Sequence, residues 1–208
     1  MSFLLGFYNY TVYLTYVGFL SGVAGIFLAA QGRTTGALLC LLLAGLCDMF
    51  DGKIARTKKD RTTDEKNFGI QIDSLNDIVC FGVLPALISY SSGCTKGWQM
   101  AIAALFTLCG MIRLAYFNVT EETRQKSTDA NRKMYAGVPI TTSATVVPLL
   151  ACFTKLLGAA YPVCYTALLA VLGFLYIAPI QIRKPGRIGG IVLLVLGAVA
   201  FFILFLLK

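Results

Sequence analysis

The chain has 208 residues, of which 57% are hydrophobic and 13% are charged, and its formal net charge is +8. An average soluble domain has about 25% charged residues, so this composition excludes an ordinary soluble fold and predicts a protein embedded in a bilayer. The chain contains no histidine, which argues against a typical zinc site and favours oxygen ligands for any bound metal.

Long apolar blocks, separated by short polar stretches, recur along the chain. The opening stretch lacks the basic region and the cleavage site of a signal peptide, so we expect it to be retained as a first span, with Asn9 and Thr11 at its head as a hint of a polar contact. The pattern predicts an all-α, polytopic transmembrane helical bundle, a single domain over residues 1–208 with a six-helix core and one further C-terminal span. That last segment also fits a peripheral helix packed on the core. The predicted spans are residues 10–30, 36–55, 69–91, 97–118, 137–157, 161–181 and 188–207.

Most of the basic residues lie in three regions, at the ends of the second, fourth and sixth predicted spans and in the loops that follow them. All three loops then lie on one side of the membrane, and the positive-inside rule predicts that this side, together with the N-terminus, is cytoplasmic. Anionic lipid headgroups are the expected partner of this charge, rather than nucleic acid. The residues concerned are Lys53, Arg56, Lys58, Lys59, Arg61, Lys66, Arg124, Lys126, Arg132, Lys133, Arg183, Lys184 and Arg187.

Two pairs of aspartates stand within the second and third predicted spans. Asp48 and Asp51 are three positions apart, and Asp73 and Asp77 are four apart, so each pair occupies one face of its helix. Like charges this close in a low-dielectric setting repel one another and are costly to desolvate, unless a divalent cation binds them. The alternative, in which each acid pairs with a lysine or arginine at the membrane surface, does not require the helical spacing. The carboxylates therefore predict a magnesium, manganese or calcium site.

Small residues and an arginine accompany the aspartates. Gly52 follows Asp51, and Gly69 stands one turn before Asp73, so either glycine would let a ligand approach the backbone, although each could also be a helix-packing contact. Arg56, one turn beyond Gly52, offers a planar fork of donors to phosphate oxygens. The whole string describes a site for a metal-bound diphosphate.

A resemblance to a known family rests on eight of these ordered positions. They are similar to the signature of the CDP-alcohol phosphotransferases, membrane enzymes that transfer a phosphoryl-linked group from a CDP-alcohol to a second alcohol. The connection at residues 57–68 is longer than in many members, and we expect it to form a longer cytoplasmic loop that leaves the site unchanged. The matching positions are Asp48, Asp51, Gly52, Ala55, Arg56, Gly69, Asp73 and Asp77.

The resemblance implies a role for each of these residues. Asp77 would complete the metal site and serve as the general base, beside three further metal ligands, Asp48, Asp51 and Asp73. The CDP portion would lie against Asp48, Gly52, Ala55, Arg56, Gly69 and Asp73. Two divalent ions, magnesium or manganese or alternatively calcium, would bridge the diphosphate while a hydroxyl attacks the β-phosphorus and CMP leaves.

The segments at residues 68–86, 113–118 and 135–141 resemble the integral-membrane phosphatidylserine synthase branch of the family. This resemblance implies CDP-diacylglycerol, or an ether-lipid analogue, as donor, L-serine as acceptor and a homodimer among membrane lipids. Arg113, inside an apolar span, is the leading candidate to bind the serine carboxylate or the lipid phosphate, unless it extends towards the cytoplasmic face. Weaker candidates for this role are Asn118, Lys133 and Thr141.

Two alternatives remain open from the residues alone. Glycerol 3-phosphate or inositol phosphate as acceptor would require an additional basic cluster, which the loop around residues 124–133 could supply. A divalent-cation transporter would also carry intramembrane carboxylates, but near the bilayer midplane and within broken helices. The position of the acids towards the cytoplasmic ends of their helices, beside Arg56, favours the enzyme.

Overall fold

A computed structural model describes residues 5–127, 134–183 and 187–206. Helices form nearly all of the regular structure in these ranges, which confirms the predicted all-α class. Within these ranges, four helical stretches are long and apolar enough to cross a membrane, and a shorter apolar helix covers Ile140–Ala151. The protein is therefore a membrane-embedded helical bundle. The four stretches are Tyr10–Ala30, Thr63–Ser91, Gly97–Thr123 and Thr154–Ile177.

Each predicted span corresponds to helical structure in the described ranges. A π-helical segment lies at Ile78–Val83, and 3₁₀ turns lie at Ile140–Thr142 and Gly158–Ala160. In chain order the elements are α1 (Tyr10–Ala30), α2 (Thr34–Ala55), α3 (Thr63–Asp77), α4 (Leu84–Ser91), α5 (Gly97–Ser127), β1 (Met134–Ala136), α6 (Ser143–Ala151), α7 (Thr154–Leu157), α8 (Tyr161–Ile177), β2 (Gln181–Arg183) and α9 (Arg187–Leu206).

Two helices extend beyond the apolar blocks that predicted them. The third span was predicted from residue 69, but α3 begins at Thr63 because Thr62 and Glu65 form a capping box. Thr62 Oγ1 accepts from the Glu65 amide at 3.2 Å, and the Glu65 carboxylate accepts from the Thr62 amide at 3.0 Å. α5 likewise continues to Ser127 instead of residue 118. The connection expected at 57–68 is consequently a loop only as far as Thr62.

Two spans are shorter than predicted. α8 ends at Ile177 instead of residue 181, because Ala178 precedes Pro179 and is extended, with a ψ of 136°. The fifth span was predicted over 137–157, whereas its helical part covers Ile140–Ala151 and α7 forms a separate short turn. Apolar composition continues through both ends, so hydropathy alone placed these boundaries too far out.

A short antiparallel ladder joins the segments that follow α5 and α8. β1 pairs with β2 in the register Met134 with Arg183 and Ala136 with Gln181. Gly137 continues the contact, since its amide donates to the Ile180 carbonyl at 2.8 Å and its φ is +74°. A Cβ at this glycine would lie 2.5 Å from the Tyr176 carbonyl oxygen, so both the conformation and the space require glycine. Strands this short carry no alternating pattern, and the sequence did not predict them.

α1 packs on its neighbours through a face of small residues. A Cβ on Gly22 would lie 2.3 Å from Cys80 Sγ, and a Cβ on Gly25 would lie 2.9 Å from Cys40 Cβ. Ser21 Oγ adds a hydrogen bond to the Cys40 carbonyl at 2.9 Å. The glycines therefore let α2 and the π-helical segment approach α1 closely, and this packing holds the ends of α2 and α3 together.

The π-helical segment begins directly after Asp77. In a regular α-helix the Phe81 carbonyl would accept from residue 85, but Pro85 has no amide hydrogen to donate. Ser143 Oγ donates to that carbonyl instead, at 2.9 Å. The wider turn and the hydrogen bond from α6 together compensate for the missing backbone donor. Asp77 thus stands at the point where the helix changes its winding.

Candidate active site

The four aspartates converge at one end of the bundle, as their spacing predicted. Asp48 and Asp51 come from the last turns of α2, and Asp73 and Asp77 come from the second half of α3. One carboxylate oxygen from each of Asp48, Asp73 and Asp77 lies within 4.8 Å of the others. Asp51 Oδ2 accepts a hydrogen bond from Thr15 Oγ1 on α1 at 3.1 Å.

The surroundings of these carboxylates suit a hard cation. Asp51 is 7% exposed and Asp77 is 8% exposed, while Asp48 and Asp73 are half-buried. In the part of the chain that the structure describes, Oδ1 of Asp73 and Oδ1 of Asp77 are buried and have no hydrogen-bond partner. Buried carboxylate oxygens without donors are costly, and clustered oxygens are the ligands that magnesium, manganese and calcium prefer. The residues present therefore fit a divalent metal.

A cavity of about 290 Å³ opens beside the aspartates. A Cβ added at Gly52 would meet no atom within 4 Å, so the α2 backbone is open to a ligand there. Asp73 belongs to both the carboxylate cluster and the cavity wall, which makes the two features continuous. Six of the eight signature positions line the cavity, namely Asp51, Gly52, Ala55, Arg56, Gly69 and Asp73.

Four polar residues outside the signature also line this cavity: Thr11, Thr15, Arg61 and Lys66. Both threonines are buried, and they stand four positions apart on α1, so a polar face on an otherwise apolar helix was the available signal. Sequence reasoning noted Thr11 but missed Thr15. It assigned Arg61 and Lys66 only to the basic loop that orients the chain, and nothing in their spacing indicates a cavity.

The connection between α2 and α3 is tied to the head of α1 through Glu65. The Glu65 carboxylate accepts from Lys58 Nζ at 2.6 Å and from Asn9 Nδ2 at 2.9 Å, and its carbonyl accepts from Arg61 Nη2 at 3.0 Å. The expectation that the longer connection leaves the site unchanged is therefore incomplete. Arg61 of the connection and Lys66 of α3 add two cations to a cavity that six of the signature positions line.

Three of the four predicted acceptor residues lie within the described part of the chain. Arg113 is buried on α5, 8% exposed, with its guanidinium carbon 6.0 Å from the centre of the Phe117 ring, so it does not extend to the surface. Asn118 is half-buried and accepts a hydrogen bond from Ser74 Oγ at 3.0 Å, which ties α5 to α3 beside the aspartates. Thr141 lies in the 3₁₀ turn that α5 contacts. Lys133 lies outside the described residues.

Several curated proteins are similar in sequence to this chain. Archaetidylserine synthase of Methanothermobacter thermautotrophicus is 34% identical over 128 residues, which are 61% of this chain and 51% of that protein. CDP-diacylglycerol–serine O-phosphatidyltransferase of Saccharomyces cerevisiae is 37% identical over 117 residues, 55% of this chain and 41% of that protein. The protein of the same name in Methanocaldococcus jannaschii is 30% identical over 178 residues, 85% of this chain and 75% of that protein.

The family follows from the extent of the match. The chain spans about half the length of the first two relatives, and the alignment with the third covers most of both proteins. The family model for CDP-alcohol phosphatidyltransferases matches residues 8–177, a range that begins just before α1 and stops where α8 stops. This range holds the four aspartates and all the residues of the cavity wall, and the chain belongs to the CDP-alcohol phosphatidyltransferase family.

Proposed function

We propose that the protein transfers the phosphatidyl group of CDP-diacylglycerol, or of an ether-lipid analogue, to the hydroxyl of L-serine and releases CMP. The observation that carries the proposal is the continuity of the carboxylate cluster with a cavity lined by the family signature. Two of the relatives described above are serine O-phosphatidyltransferases by name, and the other is an archaetidylserine synthase by name. These names support serine as acceptor. A cation transporter is not favoured, because Arg56, Arg61 and Lys66 line the same cavity.

In this proposal the aspartates of α2 and α3 hold two divalent ions, magnesium or manganese or alternatively calcium. Asp73 and Asp77 each offer a buried carboxylate oxygen that has no donor among the described residues, and Asp48 and Asp51 complete the set. When bound, such ions would neutralise the charge that develops on the diphosphate and would help to align an in-line attack. Thr15 holds Asp51 in place through its hydrogen bond.

The remaining side chains would bind the donor and move the proton. The open backbone at Gly52 and the Arg56 guanidinium would face the CDP portion within the cavity. Asp77, buried at the end of α3, would accept the proton of the serine hydroxyl at a carboxylate oxygen. Its low exposure would keep bulk water away from the reacting hydroxyl, which favours transfer to serine over hydrolysis.

Arg113 is our proposed anchor for the serine carboxylate or the lipid phosphate. It is buried on α5, the helix whose Asn118 accepts a hydrogen bond from Ser74, next to Asp73. A cation within the bundle near the general base is suitably placed to bind the acceptor's carboxylate. Thr141, on the turn that α5 contacts, would supplement it.

The active site would face the cytoplasm. The aspartates lie at the end of the bundle from which the loop after α2 emerges, and that loop carries Lys58, Lys59 and Arg61. The turns at the opposite end carry Arg33 and Lys96, so the basic excess marks the active-site end. The cytidine nucleotide would then enter from the aqueous side while the acyl or ether chains remain in lipid.

An acceptor panel tests the proposal. Purified protein is incubated with CDP-diacylglycerol or its ether analogue, magnesium or manganese, and either serine, glycerol 3-phosphate or inositol phosphate. We expect CMP release with serine and only background release with the other two alcohols. Preferential release with a phosphorylated alcohol would overturn serine as acceptor, and no release with any alcohol would overturn the enzymatic function.

A further inference from the structure

Arg61 lies in the wall of the cavity although it is outside the family signature. Its guanidinium packs against Gly69, since a Cβ at that glycine would lie 2.6 Å from Arg61 Nη2. Gly69 is one helical turn before Asp73, which belongs to both the cavity wall and the carboxylate cluster. The missing side chain at position 69 therefore makes room for a cation from the neighbouring connection, one turn away from the predicted metal ligands.

The structure holds the Arg61 guanidinium in this place. Its Nη2 donates to the Glu65 carbonyl at 3.0 Å. The Glu65 side chain is itself fixed by Lys58 Nζ at 2.6 Å, by Asn9 Nδ2 at 2.9 Å and by the amide of Thr62 at 3.0 Å. Because the bond to the Glu65 carbonyl holds the guanidinium at the first turn of α3, the Arg61 side chain loses less freedom when it binds a ligand.

Most of the donors of Arg61 are still available. Its Nε is buried and has no hydrogen-bond partner in the described part of the chain, and no carboxylate there forms an ion pair with it. The nearby acid Glu65 is paired with Lys58 instead. A partly buried guanidinium with unused donors is costly unless an anion completes it. Together with Arg56 and Lys66, it gives this end of the cavity an excess of positive charge.

We infer that Arg61, positioned by Glu65, binds a phosphate of the cytidine nucleotide. The inference rests on the proposed function, which makes a CDP-linked lipid the occupant of the cavity. The planar fork of a guanidinium matches two phosphate oxygens, whereas lysine supplies a point charge. Arg61 is thus a nucleotide-binding residue that the signature does not contain, supplied by the connection between α2 and α3.

Direct nucleotide binding tests this role. The affinities of purified protein for CDP and, by competition, for cytidine are measured with magnesium present in the wild type and in Arg61→Ala, Arg61→Lys and Lys59→Gln. Arg61→Ala should weaken CDP binding by about 10- to 100-fold, the loss typical of a charge-assisted contact, and leave cytidine binding unchanged. Arg61→Lys should recover part of the affinity. Lys59 is exposed on the same loop and does not line the cavity, so Lys59→Gln is the matched control.

Two results would overturn the inference: unchanged CDP affinity in Arg61→Ala, or an equal loss for CDP and cytidine, which would place the contact on the nucleoside. Gly69→Ala supplies a second measurement, because the added methyl group displaces the guanidinium. Its cost in CDP affinity should be smaller in the Arg61→Ala background than in the wild type, and equal costs would contradict the contact. CDP binding needs no acceptor. A protein that does not transfer to serine can therefore still show the expected loss of CDP affinity in Arg61→Ala, so the two proposals can fail separately.

Discussion

The four aspartates differ in their surroundings, and these differences separate their expected roles. Asp51 accepts a hydrogen bond from Thr15 and lines the cavity, whereas Asp77 is buried outside the cavity wall. Asp73 belongs to both the cavity wall and the carboxylate cluster. A ligand that bridges the cavity and the cluster would meet Asp51 and Asp73 first. Asp77 would then face the side from which the acceptor hydroxyl approaches.

Replacement of Asp77 tests the proton-transfer role. Asp77→Asn should leave CDP binding largely intact and lower the rate of CMP release by at least about 100-fold, the usual contribution of a positioned base. CDP affinity and CMP release are measured on the same preparation, with added manganese to compensate for any weaker metal binding. Asp60→Asn, at an exposed position in the loop, is the control. A near-normal rate in Asp77→Asn would show that another group accepts the proton.

Thr15 gives a prediction about metal affinity. Thr15→Val removes the hydroxyl that donates to Asp51 at 3.1 Å while it preserves the size of the side chain. Loss of one such bond costs roughly 1 kcal/mol, so the magnesium concentration for half-maximal activity should rise by about fivefold. Thr95→Val, at an exposed turn at the other end of the bundle, should leave that concentration unchanged. An identical magnesium dependence in Thr15→Val would mean that the hydroxyl does not hold Asp51.

At the scale of elements, the start of α3 determines where the connection lies. The capping box of Thr62 and Glu65 begins the helix six residues before Gly69, and the Glu65 carboxylate also reaches Asn9 at the head of α1. The same few residues therefore end the loop, fix the first turn of α3 and hold Arg61 at the cavity. A substitution at the cap should therefore weaken nucleotide binding, although the cap residues do not line the cavity.

Thr62→Ala tests this coupling. The substitution removes the side-chain oxygen that accepts from the Glu65 amide, a loss of about 1 kcal/mol for the helix start. We expect faster amide hydrogen exchange over residues 63–67 and a higher KM for the CDP-lipid, with kcat nearly unchanged. Thr63→Ala changes the exposed neighbouring threonine, which is not the cap, and is the matched control. Equal KM values in Thr62→Ala and Thr63→Ala would show that the helix cap does not affect binding of the CDP-lipid.

The carboxylate cluster could be predicted in part from the sequence, because the spacing within each helix is local. Aspartates three and four positions apart share one face of a helix wherever that helix lies. The signature places the two pairs in a fixed order along the chain. The position of Arg61 could not be predicted, since it depends on the packing of a polar loop against Gly69. The π-helical segment was equally hidden. Pro85 indicates a missing donor, but only the fold shows that Ser143 supplies the hydrogen bond.

For the whole molecule, the family match and the architecture divide the chain at the same place. The match ends at Ile177 with α8, and α9 follows it and packs against α2 and α6. α9 therefore contacts the same helix that carries Asp48 and Asp51, on a side that the described cavity wall does not include. The predicted single domain remains a prediction, and these contacts are consistent with it.

The orientation of the bundle in the membrane is also a prediction. Lys59→Cys and Thr95→Cys place thiols in exposed turns at opposite ends of the third span, in a background without other reactive cysteines. A membrane-impermeant maleimide should label Thr95→Cys in intact cells, and it should label Lys59→Cys only after permeabilisation. The reverse pattern would place the aspartates on the external face and contradict the cytoplasmic assignment.

The most direct test of the account follows labelled serine through the reaction. Purified protein with CDP-diacylglycerol or its ether analogue, magnesium and radiolabelled L-serine should form a chloroform-soluble serine lipid, with one CMP released for each serine incorporated. Asp77→Asn should form both products at least about 100-fold more slowly. Serine lipid without CMP, CMP without serine lipid, or neither product would contradict phosphatidyl transfer to serine.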